Sequence, residues 1–241
     1  MITEQKVTND LERRLKAELM EERFAPLDRL VDRQLCSKCS KKRLFFCYDC
    51  CCYMNGVDEF VPTVELPLKI DIIKHFKEQN SKSTAIHCKI LAPNSTRLFG
   101  PNDATIPDYA AEAELMNTVL VYPDKQATSM IEYRQQSGRP IERLVFLDST
   151  WQTINGLRTL PQIQGLPTVS LNSYKTAFWR PQKGYPDECL ATIEAIYYAV
   201  CEANQANQMA TGREDVNDDQ KFEDLLFWFR FFKQKFIDGQ T

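Results

Sequence analysis

The sequence predicts an α/β fold in which a mostly parallel sheet is flanked by helices, with a small N-terminal helix and a cysteine-rich module in front of it. Three observations predict this architecture. Short apolar segments bounded by proline, asparagine or aspartate alternate with longer segments of helical periodicity. Six of the nine cysteines fall close together in the first sixty residues. With 241 residues and 43% hydrophobic side chains, the chain is long enough for one sheet domain with a small appendage.

The first predicted element is an amphipathic helix over residues 9–24, with Asn9 as a suitable N-cap. Its apolar residues recur at roughly helical spacing among lysines, arginines and glutamates: Leu11, Leu15, Leu19 and Phe24. This stripe predicts a helix that docks on the core or on a partner. We therefore expect a helical extension at residues 1–34, a cysteine-rich module at 35–60 and a sheet domain at 61–241.

The cysteine-rich module predicts a structural metal site. Two pairs of cysteines, each with two residues between its members, are separated by seven residues: Cys36 and Cys39, then Cys47 and Cys50. Two such turns can present four thiolates to one tetrahedral ion, and four sulfur ligands make a zinc site structural, because no position is left open for chemistry. Cys51 and Cys52 compete for the place of the fourth ligand. The alternative is a set of reduced, partly buried thiols without metal.

The elements of the sheet domain follow from short apolar runs and helical periodicity. Strands are predicted at residues 85–91, 118–122, 143–147 and 168–171. Helices are predicted at residues 128–136, about 150–157, 187–203 and 219–236. The polar run 205–220 indicates a solvated connector, and the aromatic stripe of 222–236 indicates packed core rather than a partner groove or a membrane surface. Ligands of such sheets bind beyond the carboxyl ends of strands, so the loops after Tyr122 and Leu147 are the predicted binding region.

Charge and apolar patterning limit the classes of function. The 30 basic and 33 acidic residues give a net charge of −3 and a pI of about 5.6, so any nucleic-acid surface must be a local patch. No segment reaches the roughly 18 to 20 uncharged apolar residues of a membrane span. The charged run 4–23 contains no apolar signal-peptide core. We therefore expect a protein inside the cell, where clustered cysteines in odd number favour metal over disulfides.

Residues 144–151 place polar groups directly after an apolar strand. Asp148, Ser149, Thr150 and Trp151 follow Leu147. Aspartate, serine and threonine are preferred helix N-caps and tryptophan is often core, which is the structural interpretation. A strand-end carboxylate beside an indole is also what an enzyme needs to hold a cationic cofactor and to take a proton from a substrate. A second polar region, residues 178–186, combines aromatic, cationic and glycine residues and suits contact with bases and phosphates.

Taken in order, these segments resemble the DTW-domain family, the tRNA-uridine aminocarboxypropyltransferases. The motif that names the family, Asp-x-Thr-Trp, stands at residues 148–151. The paired cysteines, the segments 81–87 and 119–124, and the stretch 178–195 fall where that family has them. The resemblance covers about residues 35–236. It extends to the animal type-one branch, which is similar in its Ser-Thr-Ala-x-His segment and its Ile-Glu-Ala-Ile-Tyr-Tyr helix.

The resemblance implies a SPOUT-like fold, in which the C-terminal part of the sheet is threaded into a trefoil knot and residues 61–241 form the catalytic domain. It implies an enzyme that transfers the 3-amino-3-carboxypropyl group of S-adenosylmethionine to N3 of a tRNA uridine in the D-loop and releases methylthioadenosine. The expected partners are therefore S-adenosylmethionine and tRNA, beside the structural zinc. The type-one branch implies location in the nucleus, with the cytoplasm as the alternative.

The resemblance also implies roles for individual residues. Asp148 is expected to accept the proton, because it alone in the motif can ionise at neutral pH. Thr150 is expected to hold the loop, and Trp151 to lie against the sulfonium or the target base. The expected S-adenosylmethionine contacts are Tyr122, Pro123, Asp124, Leu147, Asp148, Trp151, Leu166 and Pro167. The expected tRNA contacts are Arg180, Lys183, Lys38, Lys41, Lys42 and Arg43, for each of which simple solvation is the alternative.

Two departures from the family pattern stand out. Ala191 occupies a position that is usually serine, and Phe76 replaces the proline of a His-Pro-x-Glu element. Two other functions stay open. One is methyl transfer from the same donor. The other is a non-catalytic RNA-binding or adaptor protein, in which the cysteine-rich module contacts the partner and Asp148 only caps a helix.

Overall fold

The computed structural model describes residues 21–113, 115–150, 153–180, 184, 186–212 and 218–239. The N-terminal part contains α1 (Glu21–Asp28), the strands β1 (Gln34–Leu35), β2 (Lys42–Arg43), β3 (Phe46–Cys47) and β4 (Cys52–Tyr53), and a 3-10 turn at Asp58–Phe60. Next come β5 (Lys69–Lys74), α2 (Ala85–Leu91), β6 (Thr96–Phe99), β7 (Thr118–Val121), α3 (Met130–Ser137) and β8 (Arg143–Asp148). The last elements are α4 (Ile154–Arg158), a 3-10 turn at Pro161–Ile163, β9 (Thr168–Val169), α5 (Thr192–Met209), a 3-10 helix at Asp218–Leu226, and α6 (Phe227–Asp238).

A five-stranded parallel sheet forms the centre of the molecule. Its strand order is β6-β5-β8-β7-β9, and each neighbouring pair is parallel. The register pairs Lys74 at the end of β5 with Asp148 at the end of β8. The loops that follow β5, β7, β8 and β9 therefore meet at one edge of the sheet, where ligands of such sheets bind. The predicted α/β class with a mostly parallel sheet is confirmed.

The two central strands are buried on both faces. In β8, Leu144, Val145 and Phe146 are buried, as expected of a parallel strand covered by helices. In β5 one carboxylate interrupts the apolar run. Asp71 is fully buried, and it accepts two hydrogen bonds from the Arg97 guanidinium at 2.8 and 2.6 Å. This bidentate pair joins β5 to β6 and provides the partner that a buried charge requires.

Several sequence predictions are confirmed and others are wrong. The strands predicted at 118–122, 143–147 and 168–171 are present, with ends shifted by up to two residues. The strand predicted at 85–91 is wrong, since these residues form helix α2. The prediction failed because periodicity alone cannot distinguish a short, almost wholly buried helix from a buried strand. The run 205–220 is not a connector throughout, since α5 continues to Met209. Strands β5 and β6 were not predicted. Of the helix predicted at 9–24, the part before residue 21 lies outside the described residues.

The aromatic C-terminal helix α6 packs against both the cysteine-rich module and α1. Trp228 is fully buried, and its ring centroid lies 4.9 Å from that of Phe46 and 5.6 Å from that of Phe45 in the cysteine-rich module. Phe24 of α1 packs on the ring of Phe227 at 5.2 Å. The prediction that residues 222–236 are packed core is confirmed. Within the described residues, no helix combines the length and apolar character that crossing a membrane requires.

Candidate active site and cysteine cluster

Four thiols of the cysteine-rich module converge. The Sγ atoms of Cys36, Cys39, Cys47 and Cys50 all lie within 4.8 Å of one another. The Cys39 and Cys47 sulfurs are 3.6 Å apart. Tetrahedral zinc with Zn–S bonds of about 2.3 Å places sulfurs about 3.8 Å apart, so this cluster has the size of a four-thiolate site.

The turn geometry distinguishes Cys50, the fourth residue of the cluster, from the adjacent Cys51 and Cys52. The residue after each pair has a positive φ: 58° at Ser40 and 49° at Cys51. The chain turns back there, and the Ser40 N–H donates to the Cys36 carbonyl at 2.8 Å. Cys51 thus occupies the turn, while Cys50 presents its sulfur to the cluster. Cys52 lies beside the cluster, with its sulfur 3.9 Å from that of Cys36.

The electrostatics of the cluster favour thiolate at one position. Backbone N–H groups of Lys38 and Cys39 point at the Cys36 sulfur and lower the pKa of this thiol to about 6, against the opposing effect of burial. Hydrogen bonding to Cys39 and burial raise the pKa of the Cys50 thiol. The opposite shifts of these two thiols come from their closeness, because each sulfur affects the charge of its neighbours.

A cavity of about 330 Å³ opens at the carboxyl edge of the sheet. Its volume lies within the range of small-molecule sites. Its walls come from the ends of β7 and β8, from residues 171–174 after β9, and from the start of α5. The lining is mainly apolar, with polar groups at Ser149, Asn172, Ser173, Glu188 and Thr192.

A second cavity of about 240 Å³ adjoins the first, and Ser149, Leu190 and Thr192 line both. Its lining is more polar and brings three ionisable side chains together: Glu78, Lys82 and Asp148. These come from the loop after β5 and from the end of β8, which the parallel register places side by side. The site thus has two joined compartments at the DTW motif.

Asp148 is a buried hydrogen-bond acceptor in the wall of the smaller cavity. Its side chain is 3% exposed, and its two carboxylate oxygens accept from the hydroxyls of Ser83 at 2.7 Å and Thr192 at 2.5 Å. Burial raises its pKa, while these two hydrogen bonds and Lys74 oppose the rise. Helix α4 begins only at Ile154, so Asp148 does not cap it. Asp148 joins the loop before α2 to the start of α5.

Helix α5 begins without a side-chain cap of its own, because Ala191 at its N-cap has no hydroxyl. Its backbone donors find partners elsewhere. The Thr84 hydroxyl accepts from the Ile193 N–H at 3.2 Å, and the Glu194 carboxylate accepts from the Ala191 N–H at 2.8 Å. Thr84 therefore supplies a cap from a distant part of the chain, at the rim of the smaller cavity.

Glu202 of α5 holds the segment after β9 against the larger cavity. One of its oxygens, Oε1, accepts from the Asn172 N–H at 3.0 Å and from the Tyr174 hydroxyl at 2.8 Å. The Tyr174 ring stacks on Tyr198 of the same helix, with centroids 3.6 Å apart. Burial raises the pKa of Glu202. Because Asn172 and Tyr174 line the larger cavity, this carboxylate fixes part of its wall.

The predicted site residues fall into three groups. Tyr122, Pro123 and Leu147 line the larger cavity, and Asp148 and Thr150 line the smaller one. Others lie outside both linings. Asp124 accepts from the Arg158 guanidinium at 2.8 Å, and the Pro167 carbonyl accepts from the Leu120 N–H. Leu166 packs against the buried apolar cluster that includes Leu157 and Ile163. Trp151 and Lys183 lie outside the described residues.

The predicted basic contacts differ in their surroundings. Lys41 and Arg43 both donate to Asp49, at 3.0 and 2.7 Å. Asp49 also accepts from Asn80 at 2.8 Å, which ties the cysteine-rich module to the loop beside the smaller cavity. Lys38 and Lys42 are exposed. Arg180 is exposed and donates to the Lys82 carbonyl at 3.4 Å, so it lies at the rim of the smaller cavity.

Several residues that line the two cavities were not predicted from the sequence as site residues. They are Glu78, Ser83 and Thr84 before α2, Asn172, Ser173 and Tyr174 after β9, and Glu188 and Leu190 before α5. A usable signal existed for the second group, since polar residues directly follow the predicted strand 168–171. For the first group the signal was weaker, because strand β5 before it was not predicted.

Comparison with known proteins agrees with the motif order. A family model described as "DTW domain" matches residues 44–237. tRNA-uridine aminocarboxypropyltransferase 1 of Mus musculus is 35% identical, with 83% of this chain and 75% of that protein covered. The protein of the same name is 32% identical in Xenopus tropicalis, covering 96% and 88%, and 34% identical in Homo sapiens, covering 84% and 76%.

One solved structure is a distant match. The SAM-dependent rRNA:acp-transferase Tsr3 from Vulcanisaeta distributa aligns with 68% of this chain and 99% of that chain, at 14% identity and a TM-score of 0.36. The family match covers most of the sheet domain and part of the cysteine-rich module. The resemblance drawn from the ordered motifs is confirmed, and this chain belongs to the DTW-domain family.

Proposed function

We propose that this protein transfers the 3-amino-3-carboxypropyl group of S-adenosylmethionine to N3 of a uridine in the D-loop of a tRNA, with release of methylthioadenosine. The observation that carries the proposal is the pair of joined cavities at the DTW motif, in a chain 31–35% identical to relatives named tRNA-uridine aminocarboxypropyltransferase 1. Transfer between two bound molecules requires two compartments that share a boundary. Ser149, Leu190 and Thr192 form that boundary.

The larger cavity suits the donor. Its apolar wall, which includes Phe146, Ile154 and Leu171, can cover an adenine ring, and its polar groups can bind the amino acid end. Tyr122 lines this cavity with an aromatic ring that already attracts one cation, since the Arg158 guanidinium lies 4.6 Å from the ring centroid. Bound there, the donor supplies a carbon already activated by its sulfonium leaving group. The chain must then select one of three carbons on that sulfur, which is a matter of positioning.

Residues of the wall are held rigidly enough for such selection. Glu202 fixes Asn172 and Tyr174 on one side of the larger cavity. Asp148 fixes Thr192 on the boundary and Ser83 in the smaller cavity. These buried charge-assisted hydrogen bonds link groups from four segments: the loop before α2, the end of β8, the segment after β9 and helix α5. We expect them to set the angle between donor carbon and acceptor nitrogen.

The smaller cavity suits a nucleobase presented by RNA. Lys82 in its lining and Arg180 at its rim are exposed cations, and Phe178 adds an aromatic wall. A protein of net charge −3 needs such a local patch to bind RNA. A loop uridine fits better than a paired one, because a base must leave its stack to enter a pocket. Lys38 and Lys42 on the cysteine-rich module extend the proposed phosphate contacts.

We also propose that the four-cysteine cluster binds one structural zinc ion. Support comes from the four sulfurs of Cys36, Cys39, Cys47 and Cys50, which lie within 4.8 Å of one another, and from the turn at Cys51, which argues against Cys51 as a ligand. The module packs on Trp228 and is tied to the smaller cavity through Asp49 and Asn80. Zinc would therefore stabilise the acceptor side of the site from a distance.

The knotted SPOUT-like threading of the C-terminal part and a nuclear location are also proposed, and both are supported by the family resemblance.

The test uses S-adenosylmethionine labelled either in its carboxyl carbon or in its methyl group, with unmodified tRNA. We expect carboxyl label in the RNA and release of methylthioadenosine in equal amount. Methyl label in the RNA would identify a methyltransferase instead. Absence of both labels, with a tRNA that a relative modifies under the same conditions, would favour a non-catalytic RNA-binding protein.

A further inference from the structure

The smaller cavity holds two carboxylates of different character. Asp148 is 3% exposed, and both of its oxygens already accept hydrogen bonds from Ser83 and Thr192. Its burial leaves little of either oxygen accessible to an incoming base. Glu78 lines the same cavity and is only partly buried. Among the described residues, no side chain forms a hydrogen bond or an ion pair with its carboxylate.

The backbone of Glu78 is fixed although the tip of its side chain is free. The Glu78 N–H donates to the His75 carbonyl at 3.0 Å, and the Lys74 ammonium donates to the Glu78 carbonyl. The His75 N–H in turn donates to the Asp148 carbonyl at 2.9 Å. The turn that carries Glu78 is thus attached to the end of β8, despite the replacement of proline by Phe76. A free carboxylate on a fixed turn has the placement that a proton acceptor needs.

We propose, on the basis of the proposed function, that Glu78 is the catalytic base that accepts the N3 proton of the target uridine. As the bond between N3 and the γ-carbon of the donor forms, the bond between that carbon and sulfur breaks, and its electron pair leaves with methylthioadenosine. The N3 proton passes to a Glu78 carboxylate oxygen. Asp148 then acts as a positioning residue through Ser83 and Thr192.

The charges around Glu78 suit this role. Burial and the nearby Asp148 carboxylate raise the pKa of Glu78, while Lys74 and Lys82 oppose the rise. A raised pKa makes the carboxylate a better acceptor near neutral pH. Lys82 in the same cavity can stabilise the negative charge that develops on the uracil oxygens as N3 loses its proton.

The experiment compares single-turnover transfer by wild type and by Glu78→Gln, with Glu65→Gln as the matched control. Glu65 is an exposed carboxylate before β5, at the opposite edge of the sheet. At pH 7 we expect Glu78→Gln to lower the rate by about 10²- to 10⁴-fold, the usual contribution of a general base. We expect the dissociation constant for S-adenosylmethionine to stay within twofold of wild type, because Glu78 does not line the larger cavity. Glu65→Gln should match wild type in both.

The pH profile separates a base from a purely structural residue. The rate of Glu78→Gln should rise about tenfold per pH unit from pH 6 to 9, as the uridine N3 ionises unaided, so its deficit shrinks at high pH. Glu78→Asp, which keeps a carboxylate, should lose less activity and keep the wild-type profile. A rate for Glu78→Gln within threefold of wild type, or a deficit that is constant with pH, overturns the inference while wild-type transfer stands. Failure of wild type to transfer the aminocarboxypropyl group overturns the proposed function itself.

Discussion

Glu202 offers a sharp test of how the fold shapes the donor cavity. Two of its hydrogen bonds, from the Asn172 N–H and the Tyr174 hydroxyl, end on the same oxygen. Glu202→Gln can therefore keep both bonds on its amide oxygen, whereas Glu202→Ala loses both. The two variants separate the hydrogen bonds from the charge.

The magnitude follows from the number of bonds. Two hydrogen bonds to a charged acceptor contribute about 1.5 to 3 kcal/mol each, and removal of a buried carboxylate offsets part of the loss. We expect Glu202→Ala to lose at least about 2 kcal/mol of stability, which corresponds to a melting temperature lower by about 4 to 8 °C for a chain of this size. Reordering residues 172 and 174 on binding costs about 1 to 2 kcal/mol per residue, so donor affinity should fall at least tenfold.

The pH dependence of stability gives a second test of Glu202, through comparison of wild type with Glu202→Gln. Burial raises the pKa of Glu202 above its unfolded value of about 4.3. The unfolded chain therefore releases this proton at lower pH, and wild type loses stability relative to Glu202→Gln as the pH rises from about 4 through the folded pKa. Thermal melts between pH 4 and 8 and calorimetric titration with S-adenosylmethionine measure both effects. Equal donor affinity in Glu202→Ala and wild type would refute the assigned role of Glu202.

Three further predictions concern the cluster, a turn and a helix start. Cys50→Ser should abolish the binding of one equivalent of zinc, measured by elemental analysis of purified protein, while Cys51→Ser retains it; the reverse result would reassign the fourth ligand. Ser40→Gly should raise stability by about 1 kcal/mol in thermal melts, because glycine adopts the φ of 58° without strain; a lower melting temperature would contradict this. Thr84→Ala should cost about 1 to 3 kcal/mol by leaving the buried Ile193 N–H without its acceptor, whereas Thr84→Ser stays near wild type in urea unfolding; equal losses would exclude the capping role.

The sequence could predict those parts whose signal is local. Strand β8 is an apolar run that ends at a polar motif, and the cysteine pairs form their cluster through two short turns. Strand β5 escaped prediction because Asp71 interrupts its apolar run and lysines stand at both of its ends. The buried charge is satisfied by Arg97, which is 26 residues away in the chain. Nothing near position 71 reveals that partner.

In the active site too, the parts with a local sequence signal could be predicted and the parts that depend on distant residues could not. The DTW motif marked the end of β8 because it combines an apolar strand with a carboxylate. The chemical setting of Asp148 was out of reach, since its donors Ser83 and Thr192 lie 65 and 44 residues away. Their hydroxyls donate to both oxygens of the buried carboxylate that the motif alone suggests as the base. Glu78 enters the site through the parallel register of β5 and β8, which only the assembled sheet establishes.

The most direct test of the central claim is the mass of the nucleoside that the protein forms. After incubation of the protein with unmodified tRNA and S-adenosylmethionine, the RNA is digested, its nucleosides are separated, and their masses are measured by mass spectrometry. The account predicts uridine that carries one aminocarboxypropyl group at N3, formed in equal amount with methylthioadenosine. A methylated uridine with release of S-adenosylhomocysteine, or unmodified uridine from a tRNA that a relative modifies, would contradict it.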